Sequence, residues 1–205
     1  MGRKKLDPAL SPKHNCMLVA ASRMFIDKGY DAVSMDAVAD AAPVSKRTLY
    51  NHFKDKKSLF SAVMQSRCSQ FSATMAQSLQ DCRNAEQALT RIGQQFLGAV
   101  LEPDSLNMYR VIINQSQQFP ELGKLFYESG PARTRQLLAD YLKGVHKKGE
   151  LNVPNPELAG NMFIGMLINR VHMQCLLGQK KNVSKREKDE IVRYAVQLFV
   201  RGHKS

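Results

Sequence analysis

Residues 33–59, VSMDAVADAAPVSKRTLYNHFKDKKSL, hold the pattern that decides the fold. Ser34 is a favoured N-cap type, because its hydroxyl accepts a hydrogen bond from a free first-turn amide. Met35, Val38, Ala39 and Ala42 follow at the spacing of one buried helix face. Pro43 cannot extend that helix. Ser45 caps again, and Leu49 and Phe53 stand four apart on the inner face of a second helix. Two short helices joined by a turn of about three residues, with small Ala39 where they cross, form a helix-turn-helix.

The second helix carries the chemistry. Stepping about 100° per residue from inward-facing Leu49 turns Arg47, Tyr50, Asn51 and Lys54 to solvent. Lys46, Arg47 and Thr48 occupy the first turn, which in this motif points at base edges. Arginine pairs with guanine, asparagine with adenine, and the threonine methyl meets thymine. Asp55 is placed to cap a third helix opening with Lys56 and Lys57, whose amides and ammonium groups suit phosphate. A short solvated helix pair with ordinary surface charges also fits these residues.

Residues 17–30 (MLVAASRMFIDKGY), residues 38–45 (VADAAPVS), residues 48–53 (TLYNHF) and Lys56 fall in order and at the right spacing. They resemble the N-terminal domain of TetR/AcrR-type transcriptional repressors, over about residues 12–65. That resemblance implies an all-helical homodimer that binds a palindromic double-stranded DNA operator and leaves it on binding a small molecule. It implies phosphate contacts from Tyr50, His52 and Lys56 and base reading from about Lys46 to Thr48. With both caps included, the DNA-facing set is Ser34, Ser45, Lys46, Arg47, Thr48, Tyr50, Asn51, His52 and Lys56. The chain departs from the family at Pro43, where the turn usually has a glycine able to take a left-handed conformation closed to proline.

The charge distribution agrees with a nucleic-acid footprint. Lysine and arginine number 30 against 18 acidic residues, a net charge of +12. Arg3, Lys4, Lys5 and Lys13 against Asp7 give residues 1–13 a net +3. Residues 14–43 hold Arg23 and Lys28 against four aspartates, a net −2, and residues 44–57 hold five cations against Asp55, a net +4. Residues 1–11 read as a flexible basic arm, 12–57 as the DNA-binding domain, and 58–205 as an effector-binding and dimerisation domain.

The N-terminus lacks the apolar segment of a signal peptide, and no run of 18 apolar residues spans a membrane. Cys16, Cys68, Cys82 and Cys175 are scattered, with no C-x-x-C and no histidine at ligand spacing. Reduced thiols, a cytoplasmic location, no metal and no cofactor are expected. No Gly-rich phosphate loop, G-x-S-x-G or H-E-x-x-H appears, so an enzyme is not expected.

Downstream, periodicity predicts helices only: 12–28, from Lys56 to about Leu79, 84–101, one capped by Asp104 or Ser105, 120–129, about 17 residues ending near Gly149, 157–177 and 186–201. The segment KKNVSKREK, residues 180–188, reads as a solvated loop of net +4. Helix 157–177 is apolar all round and so is buried on more than one side. With 186–201 it is expected to pack against its twin as the dimer face, Ile164 and Phe199 included, Gly160 and Gly165 admitting a second backbone. A monomeric core fits the same residues. Arg110, the FPEL of residues 119–122, Phe126, Tyr127, Gly130, Pro131, the GEL of residues 149–151 and the PELA of residues 156–159 resemble the AefR-like effector domains of these regulators.

Met108, Tyr109, Ile112, Phe126, Met162, Phe163, Met166 and His172 are the candidate lining of a cavity for a hydrophobic or amphipathic ligand. The same side chains also suit ordinary core packing. The expected whole is an all-α regulator, with a three-helix N-terminal DNA-binding domain and a C-terminal helical domain for ligand and dimerisation. Its alternative is an effector-independent DNA-binding protein whose C-terminal domain only dimerises.

Overall fold

A computed structural model describes residues 11–80, 82–168 and 170–204. Most of the expected basic arm, residues 1–10, lies outside the described residues. Among the described residues there are helices and no strands: α1 Pro12–Lys28, α2 Met35–Ala41, α3 Lys46–His52, α4 Lys56–Gln80, α5 Ala85–Val100, α6 Pro103–Ser116, α7 Pro120–Ser129, α8 Pro131–Lys147, α9 Pro156–Ile168, α10 Arg170–Leu176 and α11 Lys185–Gly202. The expected 157–177 helix corresponds to α9 and α10, on either side of residue 169. Pro103 belongs to α6 rather than to the break before it, as a proline at a helix start costs no hydrogen bond. Segment 180–188 is only half loop, because Ser184 caps α11 through the Glu187 amide and Lys180 pairs with Glu187 at 2.6 Å.

The chain forms two compact units, one holding the residues up to Gln70 together with Asn107–Gly130, the other Phe71–Leu106 with the residues from Pro131 onward. In the first, α1 to α3 and the start of α4 close over Met17, Phe25, Leu49, Leu59, Phe60 and Met64, all fully buried. Each such side chain contributes about 1.5–3 kcal/mol by leaving water. Phe60 meets Phe25 and Tyr30 edge-on at 5.0 and 5.1 Å. The second half of α6 and α7 complete this core through Met108, Ile112 and Leu122. Buried Gln115 donates to the Asp31 carboxylate at 2.8 Å, and Lys57 pairs with Glu121 at 2.9 Å.

In the second unit α8 packs on α9, α5 on α11 and α11 on α9, around Leu89, Ile92, Leu97, Leu138, Leu142, Phe163, Leu167 and Phe199. The glycine that admits a neighbour is Gly93. A Cβ there would stand 2.9 Å from Val192 Cγ1, so α5 and α11 approach closely only because it is absent. Gly160 faces Leu138 of the same chain, at 3.4 Å from where a Cβ would stand, while Gly165 is exposed with nothing within 4 Å. Ile164 and Phe199, expected on the outer seam, are each only 3 % exposed and belong to the core. The outward apolar residues of these helices are Leu158, Met162, Tyr194 and Leu198.

Candidate nucleic-acid interface

The two short helices form because each has its own cap. Ser34 Oγ accepts from the Ala37 amide at 3.1 Å, and Ser45 Oγ accepts from the Thr48 amide at 3.1 Å. Ser45 and Thr48 also join their hydroxyls at 2.8 Å, so both serve the start of α3 directly. Val38, Ala39 and Leu49 fill the crossing between α2 and α3. Between the helices Pro43 is held at φ +24°, in the region that favours glycine, against a ring preference near −65°. The Ala42 amide bonds Val38 O at 2.9 Å and the Val44 amide bonds Ala39 O at 3.1 Å, so the turn is fixed on both sides of the strained residue.

With its inner side pinned by Leu49, α3 presents Arg47, Tyr50 and Asn51 on one exposed face. Lys54 does not share that face. The helix ends at His52 and Phe53 is extended, φ −135° and ψ 115°, which keeps Phe53 buried and places Lys54 in the following turn. Asp55 caps α4 through the Ser58 amide at 2.7 Å, a bond that holds its carboxyl below the usual range.

Three members of the sequence-derived set have partners that spacing did not reveal. Lys46 Nζ stands 2.6 Å from Asp36 Oδ2, and this hydrogen bond raises the lysine pKa, with Asp40 and Tyr50 adding to the effect. His52 lies with its Nδ1 3.4 Å from Nδ1 of His14, whose ring also tilts against Phe53. Burial and then His52 lower the His14 pKa. Lys56 turns its ammonium inward, donating to the carbonyls of Tyr30 at 2.9 Å and Asp31 at 3.2 Å and lying 4.5 Å over the Tyr30 ring. That ammonium ties α4 to the turn after α1. Carbonyl ties of this kind leave no signature in residue spacing, and neither does an acid ten residues away on another helix.

The candidate ligand residues fall in both units. Met108 and Ile112 are buried in the core of the first, where Phe126 packs partly covered and meets Tyr109 edge-on at 5.6 Å. Phe163 is fully buried in the second and contacts Phe199 at 5.4 Å. Met166 is partly buried beside that core, and burial lowers the pKa of half-covered His172. Met162 points outward at 61 % exposure.

Two family profiles match the chain: bacterial regulatory proteins of the tetR family over residues 17–63, and the C-terminal domain of AefR-like transcriptional repressors over residues 87–204. A putative TetR-family transcriptional regulator from Mesorhizobium loti has the same fold at a TM-score of 0.87 and 28 % identity, covering 94 % of this chain and 97 % of that one. The flavonoid-responsive regulator FrrA superposes at a TM-score of 0.75 with 28 % identity, over the same shares of the two chains. The HTH-type transcriptional activator FasR of Mycolicibacterium smegmatis is 38 % identical over 96 residues, which span 47 % of this chain and 43 % of FasR. No described helix is long and apolar enough to cross a membrane.

Proposed function

The chain is a DNA-binding transcriptional regulator of the TetR family with an AefR-like C-terminal domain, and on that premise we propose that it is a homodimeric repressor released from a near-palindromic operator by a small hydrophobic or amphipathic ligand. The observation that carries the reading is the outward face of α3. Arg47, Tyr50 and Asn51 project together from a capped helix whose opposite side is locked into the core. In this reading Arg47 and Asn51 meet base edges, while Tyr50 and His52 bind phosphate. Lys56 contributes its backbone amide at the start of α4, its ammonium being engaged elsewhere.

Dimerisation is supported by the exposed apolar pairs Leu158 with Met162 on α9 and Tyr194 with Leu198 on α11. A second copy covering them would bury a hydrophobic seam between two-fold related molecules. Ligand response is supported by the second unit. Buried Ser72 has a hydroxyl with no hydrogen-bond partner among the described residues, next in sequence to Phe71, which packs 6.3 Å from Phe96. A buried polar anchor beside aromatic side chains suits a molecule of that class, and FrrA is named as flavonoid-responsive. Repression agrees with the AefR-like repressor profile, and FasR, an activator, marks the opposite outcome.

Selection of bound duplexes from a random pool, followed by release assays with a panel of apolar metabolites and drugs, tests the reading. A palindrome that is recovered and then released by a panel member supports it. An operator that no ligand displaces favours the effector-independent protein, and a reporter switched on rather than off by the protein removes repression.

A further inference from the structure

Among the residues that α2 and α3 turn to solvent, the structure joins an acid to a base at the place where DNA would arrive. Lys46 is the first residue of α3, and Asp36 is the second residue of α2. Their side chains are 61 % and 52 % exposed, so the 2.6 Å pair faces water on the side of α3 that also carries Arg47. Such a pair contributes little to stability, since solvent screens it. It does, however, take up the charge of one cation in the first turn of the reading helix. Arg47, its neighbour, makes no ion pair with the described residues. Asp40, one turn along α2, adds its field at Lys46.

We propose that Asp36 is a specificity-determining residue, which withholds Lys46 from loosely docked DNA and yields it only when α3 is seated on its operator. This rests on the operator-binding reading above. A free lysine at this position would neutralise a phosphate on any sequence and add equally to every non-specific complex. A lysine held by a carboxylate contributes only where DNA offers a better partner than Asp36. Full docking of the first turn supplies such a partner, because base edges and phosphates then stand at fixed positions. An encounter that touches only the backbone does not. Asp36 thus lowers the competing background more than it lowers operator affinity.

The experiment uses the full chain, the operator recovered by selection and a scrambled duplex of equal length. Binding is followed by fluorescence anisotropy across a KCl series for wild type, Asp36→Asn, Asp40→Asn, Lys46→Met and the Asp36→Asn/Lys46→Met double variant. Thermal melts by circular dichroism confirm that each is folded. Asp36→Asn is expected to steepen the log–log salt slope on scrambled DNA by about 0.9, the value for one more neutralised phosphate. The operator slope should stay at the wild-type value, and the operator-to-scrambled affinity ratio should fall. Asp40→Asn removes the same charge without the ion pair and should move the scrambled slope less. The double variant should match Lys46→Met. Equal slope changes on both duplexes, no change on either, or an Asp36→Asn effect that persists without Lys46 overturns the inference. An operator with unaltered Asp36→Asn slopes removes only this inference, whereas a wild type that enriches no sequence removes the operator reading along with it.

Discussion

Two outward surfaces of this chain are built by the same rule and come out opposite in character. On α3, Leu49 faces the core and Arg47, Tyr50 and Asn51 face water. On α9 and α11, Ile164 and Phe199 face the core, yet Leu158, Met162, Tyr194 and Leu198 also face water. An isolated surface leucine needs no explanation, but two exposed apolar pairs on packed neighbouring helices are more than scatter, and we propose a second copy as their cover. The contrast teaches that inward residues build the fold while outward residues name the partner: a polyanion for α3, and in our reading a second copy for α9 and α11.

The strongest way to break this contrast is to charge each side of the apolar helices. Ile164→Glu forces a carboxylate into the core and should cost several kcal/mol, enough to unfold the second unit in a thermal melt. Leu198→Glu should leave the melt of the isolated chain nearly unchanged and shift sedimentation from dimer to monomer. A Leu198→Glu variant that stays dimeric removes that face from the interface.

On the polar side, Arg47→Ala should weaken operator binding by about 1–3 kcal/mol and relax base preference if the guanidinium pairs in bidentate fashion. Lys56→Met should behave differently. It removes the ammonium from the Tyr30 and Asp31 carbonyls, so it should lower stability by about 1–3 kcal/mol and leave the salt slope of DNA binding unchanged. A slope reduced by about one would instead place the ammonium on phosphate.

The turn gives a smaller effect. Pro43→Gly relieves strain of about 1–3 kcal/mol at φ +24°. It also returns about 1 kcal/mol of freedom to the unfolded chain. The net gain should be about 1 kcal/mol, read as a rise of a few degrees in the melt. A lower melting point would mean that the ring packs favourably enough to outweigh its backbone.

The smallest effect is in pH. His14 has its pKa below the ordinary 6.5 through burial and then through His52. The folded chain therefore binds this proton less readily than the unfolded one. Its contribution is complete above the ordinary value and is lost as pH falls through the lowered one. Wild type should lose more melting temperature between about pH 7 and about pH 5 than His14→Gln. Parallel losses would show that His14 does not titrate in that window.

Sequence alone determined the helical class, both serine caps, the α2–α3 pair and the outward placing of Arg47, Tyr50 and Asn51, though not of Lys54, because caps and periodicity are local and each leaves a residue at a fixed offset. It also identified the helices of the second unit, but not which of their apolar residues point out. Residues 157–177 are apolar around the whole circumference, so periodicity gave no direction, and only packing against α8 and α11 separated buried Ile164 from exposed Met162. Tertiary structure likewise decided the pairing of Lys46 with Asp36, the inward turn of Lys56 and the division of the candidate ligand residues between two units. Each depends on a distance between helices, set by how side chains fill the space between them, and no offset along the chain encodes it.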